Sequence, residues 1–232
     1  MIYPLQTPKK ISLVFIETEL ELIPSAISTH PQVIAYANKR GKPAQKLLLD
    51  STYHHNAMRQ VPDWKRRGRP DIIHRCLLFA LDSYINQSGL LDIYIHTRND
   101  MVVSVNPLVR LPKHYQRFLG LIEQLFEKGT ISSTSEPLLI LQQQTLPQLL
   151  ETLPKRTFLL SEKGKPTDLI SLFRGFVKEQ MVIGIGCFPH GDFSKNHTLF
   201  SEQLSIGACS FTASTATAKA LFSYEEAMKQ SK

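Results

Sequence analysis

From Leu138 onward the chain alternates between strand-length apolar runs and helix-length amphipathic ones. The spacing predicts strands at Leu138–Leu141, Thr157–Ser161, Met181–Cys187 and Gln203–Ala208. Between and after them it predicts helices at Leu146–Leu153, Thr167–Val177 and about Ala213–Lys229. Such alternation points to an α/β fold with a mostly parallel sheet, because parallel neighbours need a crossover and a helix supplies it. Ile11–Phe15 (ISLVF) is a continuous apolar run of the kind buried on both faces of such a sheet. Ligands of such folds gather at the carboxyl ends of the strands.

The first half adds irregular pieces. Leu47–Asp50 is an apolar run ending in an acid. Ser51–Gly68 is polar and reads as a surface loop or short helix. Pro70 and Asp71 begin a helix whose apolar positions are Ile72, Ile73, Cys76, Leu77, Ala80 and Leu81. Asp92–Pro107 alternates like a β-hairpin about a polar turn at Arg98-Asn99-Asp100. A second helix opens at Pro112 and stops at Gly129, with Tyr115, Phe118, Leu119, Ile122, Leu125 and Phe126 on its apolar face.

Composition narrows the partners. Apolar residues make up 42% of the 232, which suits a globular chain and excludes an intrinsically disordered one. Lys and Arg number 27 against 20 Asp and Glu, a net charge of +7 that favours a polyanion, nucleic acid first. Cys76, Cys187 and Cys209 are widely spaced with no CxxC, which excludes a disulfide framework and a four-thiolate zinc site and fits a reducing, cytoplasmic setting. The N-terminus, with Pro4 and early charges, does not read as a signal peptide. Every apolar run is far shorter than the ~20 residues a membrane span needs. One domain over residues 1–232 is expected.

Four features could carry chemistry, each with a plainer structural reading. Gly184-Ile-Gly186-Cys-Phe-Pro-His-Gly191-Asp192-Phe193 follows a strand, and its glycines would let a ligand approach the backbone, or simply make a tight turn. Its spacing is neither GxGxxG nor a P-loop. Leu204–Ser214 runs a strand into a helix through small residues, where main-chain groups could hold an adenine ring and a methionine moiety; Thr212 or Ser214 would cap the helix in either case. Arg110, Lys113 and Arg117 form a basic set, with Lys113 and Arg117 on one helix face, that would track phosphates or be an ordinary solvated surface. In Arg66-Arg67-Gly-Arg69-Pro70-Asp71 the acid is either a first-turn residue paired with Arg69 or part of a cluster that grips a base or phosphate. His54 and His55 near Asp50 show no ligand spacing, and adjacent residues of a strand face opposite sides, so no metal is expected.

Taken in order, several blocks resemble a known family. They are Leu49-Asp50-Ser51 with His54-His55-Asn56-Ala57-Met58, Arg69-Pro70-Asp71-Ile72, Gly89–His96, and Val105-Asn106-Pro107-x-Val-Arg110-Leu-Pro-Lys113. Arg117-Phe118-x-Gly120-Leu121 and Phe188-Pro-His-Gly-Asp-Phe193 complete the set. Across nearly the whole chain they are similar to the small-subunit ribosomal RNA pseudouridine methyltransferases, the nucleolar essential protein family, in its archaeal form. The resemblance implies a SPOUT-type α/β fold: a mostly parallel sheet with an inserted β-hairpin and a C-terminal deep trefoil knot, which general chain-threading rules would not predict. It implies RNA-binding elements at about 50–120 and a knotted part at about 155–232 that binds S-adenosylmethionine. It also implies a homodimer that methylates nitrogen-1 of a pseudouridine in small-subunit rRNA and serves, with other factors, in ribosome assembly.

Residue by residue, the resemblance places Gly186 and Gly191 in one cofactor loop and Ile206, Gly207, Ala208, Cys209, Ser210 and Phe211 in the other. Arg69 and Asp71 fall near the target base, and Arg69, Arg110, Lys113 and Arg117 against the RNA. Asp71 would accept a hydrogen bond or the proton from the base while Arg69 stabilises charge on a carbonyl. Where the family shows Tyr-Pro-Leu, this chain has Cys209-Ser210-Phe211, which removes a fixed φ and adds an N–H. Two rivals remain: a methyltransferase of this fold with another target, and an assembly factor that binds RNA without turnover.

Overall fold

The computed structural model describes residues 8–134 and 136–229, so the reading of the first seven residues lies outside the described part. Strand β1 (Ile11–Thr18) is buried along its whole length, as its apolar run requires. Its side chains alternate between two cores. Ile11, Leu13 and Phe15 enter the larger one, Val14 and Ile16 the smaller one on the opposite face.

The elements follow in chain order. Helices α1 (Pro31–Arg40), α2 (Ser51–Met58), α3 (Pro70–Asp82) and α4 (Tyr84–Gln87) precede the hairpin β2 (Leu91–Thr97) and β3 (Met101–Val105). Then come α5 (Tyr115–Lys128), β4 (Thr130–Ser132), β5 (Pro137–Gln143) and α6 (Leu146–Thr152). The chain finishes with β6 (Thr157–Pro166), α7 (Leu169–Phe176), β7 (Met181–Gly186), β8 (Glu202–Ser205) and α8 (Ala213–Lys229).

The eight strands among the described residues form one sheet in the order β4-β5-β3-β2-β1-β7-β6-β8. The half from β2 to β8 is parallel, with Ile11 opposite both Leu91 and Met181. The pairs β2–β3, β3–β5 and β5–β4 are antiparallel. The fold is therefore α/β with a mostly parallel sheet, as expected. The strand at 138–141, read within the parallel alternation, instead extends the hairpin into an antiparallel flank. Helices α3, α5, α7 and α8 cover one face, and α6 packs on the other.

Beside β8 the chain of β6 curls back. Leu160 and Lys165 both pair with Leu204, with the intervening residues looped around it. The approach is so close that a Cβ on Gly164 would lie 2.4–2.6 Å from the backbone of Gln203 and Leu204, a space only glycine can occupy.

Several local readings need correction. Of the two readings of 51–68 the short helix is realised, as α2 followed by turns, and Asp50 caps that helix by accepting from the N–H of Thr52 at 2.8 Å. His54 and His55 thus sit on a helix, not a strand. Within the apolar run Leu47–Asp50, Leu48 makes an isolated antiparallel bridge to Leu22. Lys113 lies before α5, so it does not share a helix face with Arg117. Strand β8 ends at Ser205, which leaves Ile206–Ala208 as loop. Helix α8 spans the predicted residues, as does the start of α3 at Pro70. No reading covered α1 or β4.

Candidate active site

The carboxyl ends of β7, β6 and β8 meet the start of α3 around a cleft of about 560 Å³. Its lining includes Gly186, Phe188, Gly191 and Phe193 from the loop after β7, and Ile206, Cys209, Ser210 and Phe211 from the loop after β8. Arg69 and Arg75 border it from α3, and Glu162 and Lys163 from the curl of β6. The structure thus brings together six of the predicted cofactor residues with Arg69. Gly207 and Ala208 lie in the same loop without lining the cleft. Arg110, Lys113 and Arg117 are exposed and lie outside it.

Small residues shape the walls. A Cβ on Gly186 would stand 2.8 Å from the rings of both Phe188 and Phe193, which close over the strand end. Those rings meet edge to face at 5.3 Å. Phe211 lies on Gly207, where a Cβ would come within 2.6 Å of its ring, and Lys219 Nζ stands 4.9 Å from the ring centre. Ser210 Oγ donates to Glu162 Oε1 at 2.9 Å, which ties the loop that lacks a proline back to β6. Lys163 and Asp192 form an exposed ion pair across the cleft.

At the base of α3, Arg69 donates from Nε to Asp71 Oδ1 at 2.7 Å and from Nη2 to Oδ2 at 2.9 Å. Arg75 adds a bond to Oδ2 at 3.0 Å. Burial pushes the Asp71 carboxyl upward, but these two arginines outweigh it and hold its pKa below the ordinary value. Asp71 does not line the cleft; it orients the two guanidiniums that do. Both oxygens of the Asp71 carboxylate are thus engaged by the two arginines.

Behind this lies a polar network that the sequence reading did not single out. Glu17, Glu19 and Glu21 are all buried at the end of β1. Arg66 pairs with Glu17 and Glu19, Arg67 with Glu21, and Arg98 with Glu19. Burial lifts the Glu19 carboxyl to about 7, against the pull of Arg98. The available signal was the alternation of three acids immediately after an apolar strand, where unpaired charge would be costly. Among the described residues no cluster of His, Cys, Asp and Glu is arranged for a metal, and no helix is long and apolar enough to cross a membrane.

The cleft fits a nucleoside-type cofactor. Its volume is ordinary for a small-ligand site, its walls mix aromatic rings with polar groups, and glycines bring backbone to its edge. Among the described residues, none accepts a hydrogen bond from the main-chain N–H groups of residues 207–211, which leaves them for a ligand.

Comparison with known proteins agrees. The family model described as EMG1/NEP1 methyltransferase matches residues 13–225. The chain is 47% identical over 189 residues to the ribosomal RNA small subunit methyltransferase Nep1 of Pyrococcus furiosus, covering 80% of this chain and 83% of that one. It is 40% identical over 224 residues to the Thermoplasma volcanium Nep1, covering 94% and 98%. The crystal structure of Archaeoglobus fulgidus Nep1 bound to S-adenosylhomocysteine matches with a TM-score of 0.84 at 35% identity, over 95% of this chain and 99% of that one. The chain belongs to the EMG1/NEP1 methyltransferase family.

Proposed function

We propose that this protein transfers a methyl group from S-adenosylmethionine to nitrogen-1 of a pseudouridine in small-subunit rRNA. The broader statement, an S-adenosylmethionine-dependent rRNA methyltransferase, rests on family membership and on the relative that binds S-adenosylhomocysteine. The observation that carries the finer one is the Asp71-clamped Arg69 at the mouth of the cofactor cleft.

When bound, the cofactor supplies an activated methyl group on a sulfonium. The chain's own task is then alignment and charge control. Gly186, Gly191 and Ile206–Phe211 hold the donor through main-chain groups and aromatic walls. Pseudouridine, linked to ribose through carbon, presents a protonated nitrogen-1 that uridine lacks. As that proton leaves to solvent water, negative charge spreads onto the flanking carbonyl. Arg69, fixed by both oxygens of Asp71 and aided by Arg75, is placed to stabilise it. The base must be unpaired and turned out to reach the cleft. Arg110, Lys113 and Arg117 contact phosphates and set the RNA's position.

The domain assignment fits this reading, with 50–120 facing RNA and 155–232 holding the cofactor. In it, the passage of β8 through the curl at 160–165 closes the trefoil knot. A second copy covers Phe79 on α3, Tyr84 on α4 and Phe222 on α8, which are 54%, 57% and 58% exposed on mutually packed helices. Action is cytoplasmic, during small-subunit assembly and alongside other assembly factors. The test is to methylate small-subunit rRNA, digest it and identify the product nucleoside. N1-methylpseudouridine is expected; a methylated uridine, cytidine or guanosine would show another target.

A further inference from the structure

Among the three buried glutamates at and just beyond the end of β1, Glu17 differs in what it holds. Its Oε1 and Oε2 accept from the N–H of Ser194 at 3.0 and 3.1 Å, and Oε1 also accepts from Ser194 Oγ at 2.5 Å and Asn196 Nδ2 at 2.8 Å. Its other partner is Arg66. The backbone of Glu17 itself sits at φ 51°, a left-handed conformation unfavourable for a non-glycine residue. His96 Nδ1 accepts its N–H at 3.4 Å. A side chain held in this way can fix a neighbouring loop with little freedom of its own.

Arg66 reaches the same loop from the other direction. Its guanidinium lies 3.8 Å from the centre of the Phe188 ring and donates to the carbonyl oxygen of Asp192. It also bonds Glu19 at 3.3 Å. Phe188 and Asp192 line the cofactor cleft. Arg66 belongs to the short stretch that ends in Arg69, Pro70 and Asp71. One guanidinium therefore joins the segment that faces the target base to the loop that faces the cofactor.

We propose that the Glu17–Arg66 pair couples the two substrates: it sets the 188–196 loop and the 66–71 segment together, so that cofactor in the cleft and RNA at Arg69 each strengthen binding of the other. Glu17 and Arg66 are positioning residues in this account, since neither lines the cleft. The proposal rests on the reading of Arg69 and Asp71 as the RNA side of the site. Coupling of this kind is reciprocal, and its usual size is about 5- to 150-fold.

The fold supplies its own control. Arg67 pairs with buried Glu21 as Arg66 does with Glu17, yet among the described residues it bonds Glu21 and the carbonyl of Pro62 and not the 188–196 loop. Loss of Arg67 should disturb the same segment without touching the cofactor loop.

The experiment titrates S-adenosylhomocysteine into the full chain, alone and with a saturating pseudouridine-containing RNA hairpin. In the unaltered protein the hairpin should tighten S-adenosylhomocysteine binding at least about fivefold. Arg66→Gln should bring that ratio close to one, and Arg67→Gln should leave it unchanged. If Arg66→Gln does not fold, Glu17→Gln is the second variant, with the same loss expected. A wild-type ratio in Arg66→Gln or Glu17→Gln, or an equal loss in Arg67→Gln, overturns the proposal. A hairpin that binds the unaltered protein without any coupling overturns it while sparing the RNA-side reading; a hairpin that does not bind at all overturns both.

Discussion

Arg69 and Asp71 show how a two-residue spacing becomes an oriented cation. Proline between them starts α3, and the acid on its first turn turns back to grip the arginine. Asp71→Asn keeps the shape but removes the charge that fixes Arg69 and Arg75. Single-turnover methylation should fall by about 10²-fold, the scale of losing one oriented charge-stabilising contact. S-adenosylhomocysteine affinity should stay within a few-fold, as read by calorimetry. An unchanged rate would remove the clamp from the chemistry. His54 makes the second residue-scale prediction. It is buried on α2, with Nδ1 accepting from the N–H of Asp50 at 3.0 Å and Nε2 without a hydrogen-bond partner among the described residues. Burial lowers its pKa from 6.5 to about 4. The unfolded chain therefore takes up the proton first as pH falls. The contribution to stability is complete above pH 6.5 and is lost on going down to pH 4, with a total of about 3 kcal/mol. Denaturant titrations over that window should show the loss, and His54→Phe should flatten it. Arg69 and Asp71 were legible because they are neighbours in sequence. Arg66 over Phe188 was not, because only the fold brings them together.

At the scale of elements, the curl of β6 around β8 is the feature on which the two loops of the proposed cofactor site depend. It sets Glu162 against Ser210 and places the two loops on either side of one cleft. Gly164→Ala would force a methyl group into the backbone of Leu204. Thermal unfolding should show a loss of at least about 3 kcal/mol, the upper part of the overpacking range. Gly41→Ala places its methyl group in open space, at a position with φ 61°, and should cost only about 1–2 kcal/mol, from backbone strain. Equal effects would mean that the crossing is not tight. Periodicity and capping residues made α3, α5, α8 and the hairpin readable from the sequence. The same rules missed the antiparallel placement of β5, because strand direction depends on which neighbour it meets. They also put Lys113 on α5, since Pro112 looks like a first-turn residue although the helix begins at Tyr115.

For the whole molecule, the excess of positive charge on one continuous sheet fold fits an enzyme that grips RNA by its phosphates. Arg110→Ala and Arg117→Ala should each reduce the slope of log affinity against log salt by about 1 while leaving S-adenosylhomocysteine binding intact. An unchanged slope in both would place the phosphate track elsewhere. The parallel half of the sheet and its ligand end follow from the alternation of elements. Of the buried network behind the cleft, the alternating acids leave a trace in the sequence but their arginine partners do not, because pairing of charges over such separations has no local signature. The central claim is tested most directly by methyl transfer from labelled S-adenosylmethionine to two short RNA hairpins that differ only in one pseudouridine replaced by uridine. Methylation of the pseudouridine hairpin alone is expected. Equal methylation of both, or binding of both with methylation of neither, would contradict it.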